Sequence, residues 1–133
     1  MTQYDVKGLF NEPWLLKAGY NETECKVTIP FTIKQYAPRV GKEKALTNRQ
    51  LREMLLQEHG IVAGEPRVRK IINMIRNRMI IPGLIGTSKG YYITDDPEEV
   101  QLWIDSLDGR VCAIMELIEK AKDYLHTLTN RRA

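Results

Sequence analysis

Between Thr47 and Thr94 the apolar residues change period twice, and each change marks an element. Leu51, Met54 and Leu55 recur at helical spacing behind Thr47-Asn48-Arg49-Gln50, which matches a capping box: the Thr47 hydroxyl takes a free N–H and Gln50 reaches back. This predicts a helix to about Glu58, closed by Gly60 where a positive φ is needed. A second helix, residues 66–79, opens on Pro66, whose missing N–H is harmless in a first turn. Its stripe of Val68, Ile71, Ile72, Ile75 and Met79 lies opposite Lys70, Asn73 and Asn77, flanked by Arg67, Arg69, Met74, Arg76 and Arg78. The period then shortens. Ile80 to Ile85 and Tyr91 to Thr94 flank the glycine-bracketed turn Gly86-Thr87-Ser88-Lys89-Gly90, which predicts a hairpin over 84–94.

On either side the pattern is different. Cys25 to Ile33 is rich in β-branched residues and predicts a strand, with Pro30 confining it to a sheet edge or an extended arm. Residues 41–45 have room only for a helical stub. After Asp96-Pro97-Glu98-Glu99, a helix start with acids at the positive end of its dipole, Val100, Ile104, Leu107, Val111, Ile114, Ile118, Ala121, Leu125 and Leu128 alternate in steps of four and three. Such a heptad seam packs against the rest of its own chain or pairs with another copy. Ile104, Leu107, Val111, Ile114, Ile118 and Leu125 are the candidate oligomerisation residues. Gly109 weakens the middle, so one long helix or a helix pair fits. The chain thus divides into an N-terminal arm (1–38), a central domain (39–95) and a helical tail (96–133), an α+β class overall.

Charge adds a functional division. Residues 39–90 hold 11 Lys/Arg against 4 Asp/Glu, residues 91–133 hold 5 against 9, and the first 38 residues balance. A basic middle beside an acidic tail suggests polyanion contact in one and self-association or solvation in the other. The 133 residues suffice for a core without metal or disulfide support. No apolar run is long enough to span a membrane, and the N-terminus lacks a signal-peptide pattern. Cys25 and Cys112 lie far apart with no ligand spacing, as expected of reduced thiols in a cytoplasmic protein.

The segments Ala45-Leu46-Thr47-Asn48-Arg49-Gln50-Leu51-Arg52-Glu53, Arg67-Val68-Arg69-Lys70-Ile71-Ile72-Asn73 and Gly86-Thr87-Ser88-Lys89-Gly90-Tyr91-Tyr92, about half the chain in all, resemble the winged helix-turn-helix domains of small phage and prophage proteins. The resemblance implies a DNA-binding protein of transcription regulation or DNA replication in a mobile element. Its second helix enters the major groove and its hairpin wing lies against the backbone or minor groove. Two departures stand out: only a stub precedes the capped helix where the family has a full one, and the link His59 to Gly64 is longer than the tightest helix-turn-helix turns.

The residue types agree with that expectation. Base reading needs side chains with paired donors and acceptors, and phosphate contact needs cations on the same surface. Asn73 can pair with adenine, and Arg67, Arg69 or Lys70 with guanine, with Asn77 further along the same face. Lys89 at the hairpin tip suits phosphate, and Thr47, Asn48 and Arg49 stand at a helix start that favours an anion. The expected partners are double-stranded DNA and a second copy in a homodimer, which would favour a two-fold-related site. Two other readings stay open: a winged-helix adaptor that binds protein through a surface whose charge is incidental, and recognition of structured RNA.

No constellation supports an enzyme, a cofactor or a metal. Gly86 to Gly90 lacks the spacing of a phosphate-binding loop. His59 and His126 are isolated, the former reading as a cap or a solvent-facing residue. Capping a helix accounts for Asp95, Asp96, Glu98 and Glu99 more simply than a metal does. Trp14, Trp103, Tyr91 and Tyr92 suit a core or an interface better than base stacking.

Overall fold

A computed structural model describes residues 12–132, which fall into two compact units meeting at Asp95–Asp96. The first is mostly helical, with one two-stranded antiparallel sheet; the second is a long helix. No helix among the described residues is long and apolar enough to cross a membrane.

The first unit opens with helix α1 (Glu12–Lys17), which buries Leu15, and turns at Gly19. The stretch expected to be a strand, Cys25 to Ile33, is helical instead: a wide π turn (Glu24–Thr28) runs into helix α2 (Ile29–Tyr36). The physical reasons can be traced to particular residues. Asn21 and Glu24 cap the start reciprocally, each side chain accepting the other's backbone N–H at 2.9 and 2.8 Å. Cys25, Thr28, Ile29, Thr32, Ile33 and Tyr36 then fall on one buried face at helical spacing. Thr32 stays satisfied by donating to the Thr28 carbonyl at 2.7 Å. Pro30 is accommodated in the first turn of α2, directly after the wide turn, rather than at a sheet edge. The expected extended arm is therefore, over its described residues, a packed part of the core. The shortage of helix ahead of Thr47 disappears with it, because α2 is a full helix packed on the pair that follows.

From Arg39 the chain becomes an extended edge. Arg39 and Gly41 bond to Ile93 through their backbones at 2.8 and 3.0 Å, and residues 42–44 form a single 3₁₀ turn. Leu46 then pairs with Tyr91 in both directions, at 3.0 and 2.9 Å, while the Tyr36 hydroxyl donates to the Leu46 carbonyl at 2.9 Å.

Helix α3 (Asn48–His59) starts with the expected capping box on Thr47 and Gln50 and ends on Gly60 at φ 65°. Thr47→Ala is expected to cost about 1 kcal/mol of stability, read as a lower urea midpoint with unchanged slope. Helix α4 (Glu65–Asn77) has Pro66 in its first turn and buries Val68, Ile71, Ile72, Met74 and Ile75. It is shorter than expected. Met79 adopts φ 54° and is exposed, so it leaves the apolar stripe, and Ile80 and Ile81 take over the core contact.

Strands β1 (Leu84–Thr87) and β2 (Gly90–Ile93) form the expected hairpin in the register Leu84 opposite Ile93 and Thr87 opposite Gly90. Leu84 on one face and the cross-strand pair Ile85 and Tyr92 on the other are all buried. His59 is exposed and meets the edge of Phe31, ring centroids 5.2 Å apart.

The second unit is helix α5 (Pro97–Arg132), opened by Asp96, whose carboxylate accepts the Glu98 N–H at 3.0 Å. It is one continuous helix rather than a pair. Gly109 lies within it and the hydrogen-bonded ladder continues past.

Candidate nucleic-acid interface

The amphipathic character of α4 decides what this surface can offer. Its apolar side is held in the core, so Arg69, Lys70, Asn73 and Asn77 are turned outward. With Tyr20, Pro66 and Met74 they line an open depression of about 450 Å³. Lys89 stands exposed at the hairpin tip, its backbone N–H held by the Thr87 hydroxyl at 3.1 Å. The two reciprocal backbone hydrogen bonds between Leu46 and Tyr91 tie that hairpin to the residue just before the Thr47 cap.

The candidate residues do not all reach this face. Thr47 is taken up as the α3 cap. Asn48 is a brace: its amide donates to the Glu65 carbonyl at 3.1 Å and its oxygen accepts from Arg52 at 2.7 Å, which locks the start of α3 to the start of α4. Arg49 is exposed on α3 and pairs loosely with Glu53 at 3.2 Å.

Arg67 differs most from the sequence expectation. Its guanidinium forks onto the Glu24 carboxylate at 2.6 and 2.7 Å and also donates to the Gly19 carbonyl at 2.6 Å. The Glu24 side chain is only 9% exposed. The bond from Arg67 holds the Glu24 carboxyl below the usual carboxylate range, against the opposing effect of burial, and the same bond raises Arg67. Arg67 therefore clamps α4 to the N-terminal helices, and its charge is largely cancelled by Glu24.

Four side chains remain on α4. Arg69 reaches Glu65 at 2.9 Å across exposed surface, a pair worth little and easily exchanged for a phosphate. Lys70 lies 5.3 Å from the centre of the Tyr20 ring, whose other cation is Arg67 at 5.2 Å. Burial raises the Tyr20 phenol, with Arg67 acting the other way. Asn73 accepts a hydrogen bond from Arg76, which in turn lies over the Tyr91 ring. Asn77 is exposed at the end of the helix. Sequence reasoning missed Tyr20, the aromatic wall of this face, because nothing local announces a contact between residues some fifty positions apart. It also missed the seat of Arg78, stacked 3.8 Å from the Trp14 ring.

A cationic and amide-bearing helix face, and a basic hairpin tip on the same unit, can neutralise phosphates and present donors to base edges. No protein-family model, curated protein or solved structure matches the chain.

Proposed function

We propose that residues up to Asp95 act as a winged helix that binds double-stranded DNA, with α4 as the helix entering the major groove and the β1–β2 hairpin as the wing. The observation that carries this reading is the outward face of α4, where Arg69, Lys70, Asn73 and Asn77 stand together with their helix anchored from behind. The full helix α2 ahead of the α3–α4 pair supports it, since the lack of a full helix at that place is one of the two features in which the sequence pattern departs from the resemblance. So does the hairpin bonded at Leu46, which keeps Lys89 beside the helix pair. In this reading Arg69 and Lys70 contact phosphate or guanine, and Lys89 contacts phosphate. Asn73 and Asn77 can each pair with adenine through carbonyl and amide together, and the bond from Arg76 to the Asn73 oxygen leaves its second lone pair for that purpose. Arg67 and Asn48 position the helix without touching the duplex.

The test is binding of the full chain to random-sequence duplex DNA by fluorescence anisotropy as salt is raised. Affinity is expected to fall steeply between about 50 and 200 mM salt, as several phosphates release their counterions. The double variant Lys70→Glu, Lys89→Glu is expected to bind about 100-fold more weakly at fixed salt and to show a shallower salt slope. Both residues are exposed, so the variant should stay folded, with its melting temperature lowered by only a few degrees through loss of the Lys70 contact with the Tyr20 ring. No binding at low salt, or a double variant that binds as the parent does, overturns the reading and leaves the protein-adaptor alternative.

A further inference from the structure

Helix α5 exposes ten large apolar side chains, among them Ile104, Val111, Ile114, Ile118, Leu125 and Leu128. A single helix cannot hide such a seam from itself, and most helical stability comes from packing an amphipathic face. We propose that α5 pairs with α5 of a second copy as an antiparallel two-stranded coiled coil whose two-fold axis passes at the level of Glu116.

The seam fits a second copy because the heptad is complete and, from Gly109 onward, its outermost positions are polar or small; only Leu102, near the start of the helix, places an apolar side chain there. With Ile104, Val111, Ile118 and Leu125 at position a, the outermost position f holds Gly109, Glu116, Asp123 and Asn130. Orientation is decided by the flanking positions e and g, which set partner choice in coiled coils. In the antiparallel register Ile118 packs on Ile114 of the second copy, and the small Ala121 faces the β-branched Val111. Asp108 then lies beside Lys122 of the second copy, twice by symmetry, and Arg110 lies beside the Tyr124 ring. At the axis Met115 meets Met115 and Leu117 meets Leu117, which closes the apolar widening in the middle of the helix. A parallel pair loses every one of these matches. Lys122 would lie beside Leu117, Arg110 beside Met115, and Ala121 would meet Ala121 and leave a gap in the core. The existing contact of Lys122 with Glu119, at 3.5 Å on exposed surface, is too weak to oppose the exchange.

The inference is independent of DNA binding. It is tested on the full chain carrying Cys112→Ser, with a spin label on Gln101→Cys; Cys25 is buried. Light scattering should report a dimer, and pulsed dipolar spectroscopy should place the two labels about 45 Å apart, thirty helical residues along the axis. A parallel pair would bring them to about 10 Å. Asp108→Lys alone should weaken the dimer by about tenfold, and adding Lys122→Asp in the same chain should restore it. A monomer at tens of micromolar, a short label distance, or a double variant that stays as weak as the single one each overturns the proposal.

Discussion

A Gly90→Ala variant is expected to melt roughly 15 °C below the parent, a loss of about 3–4 kcal/mol in a unit of this size. Two penalties combine at this one position. Gly90 opens β2 at φ 119°, a conformation that L side chains rarely adopt and that costs about 1–3 kcal/mol to impose. A Cβ there would also lie 2.7 Å from the Leu46 carbonyl carbon and 2.8 Å from the Leu46 oxygen and the Thr47 nitrogen. All three are backbone atoms beneath the α3 cap, so no rotamer relieves the clash. The hairpin must lift, and the two bonds between Leu46 and Tyr91 are lost with it, at about 1 kcal/mol each. Near-UV circular dichroism of the tyrosines gives the readout, since Tyr36 and Tyr91 stack edge to face at this junction with ring centroids 5.9 Å apart. Gly60→Ala is the control. It also has positive φ but open space around it, and is expected to cost only about 1 kcal/mol. Equal losses at the two glycines would show that the Leu46 contact does not hold the hairpin in place.

Arg67→Ala is expected to destabilise the first unit by about 2 kcal/mol while leaving DNA affinity of the folded protein within about twofold of the parent's. Breaking a fully buried ion pair costs more than this, but the Arg67 side chain is 36% exposed and water compensates in part. What remains is a nearly buried Glu24 carboxylate without its main donor, and a Gly19 carbonyl without its own. The comparison separates two roles for one residue. A base-reading Arg67 would lose affinity and keep its melting temperature; a clamp does the reverse.

The same pair sets an acid limit. Because the folded Glu24 carboxyl is held below its ordinary value, its contribution is complete above the ordinary carboxylate range and is lost as pH falls through the lowered one. The parent should therefore lose stability progressively below about pH 4.5. Glu24→Gln should be less stable at neutral pH and show a flatter acid limb in urea titrations from pH 7 to 3. An acid limb as steep as the parent's would assign the loss to other carboxylates.

The same clamp shows how far the sequence could be read. Arg67, Lys70 and Asn73 sit on one polar helix face by periodicity alone, and that face is where the structure has it. What periodicity could not supply was the neighbour. Tyr20 and Glu24 come from a segment read as an extended arm, so a guanidinium that looks free on a helical wheel is bound by a carboxylate 43 residues away. The strand expectation at Cys25 to Ile33 failed for a related reason. β-Branched residues favour strands only weakly, and here a reciprocal Asn21–Glu24 cap together with a buried face at helical spacing outweighs them. Asn21 and Glu24 stand at capping-box spacing in the sequence, but their role shows only once the face they introduce is seen to be buried.

Local chemistry determined the elements whose ends carry their own instructions: α3 between its Thr47–Gln50 box and Gly60, the first turn of α4 with Pro66 in it, the hairpin between Gly86 and Gly90, and α5 from Asp96 onward. These depend on backbone donors, fixed φ values and periods spanning a few residues, all of which a linear pattern records. The tertiary structure alone decided how α2 packs into the core, that Leu46 fastens the hairpin, and which cations of α4 face outward. Each of these rests on a partner far along the chain, and the energy that selects it is absent until the chain has closed.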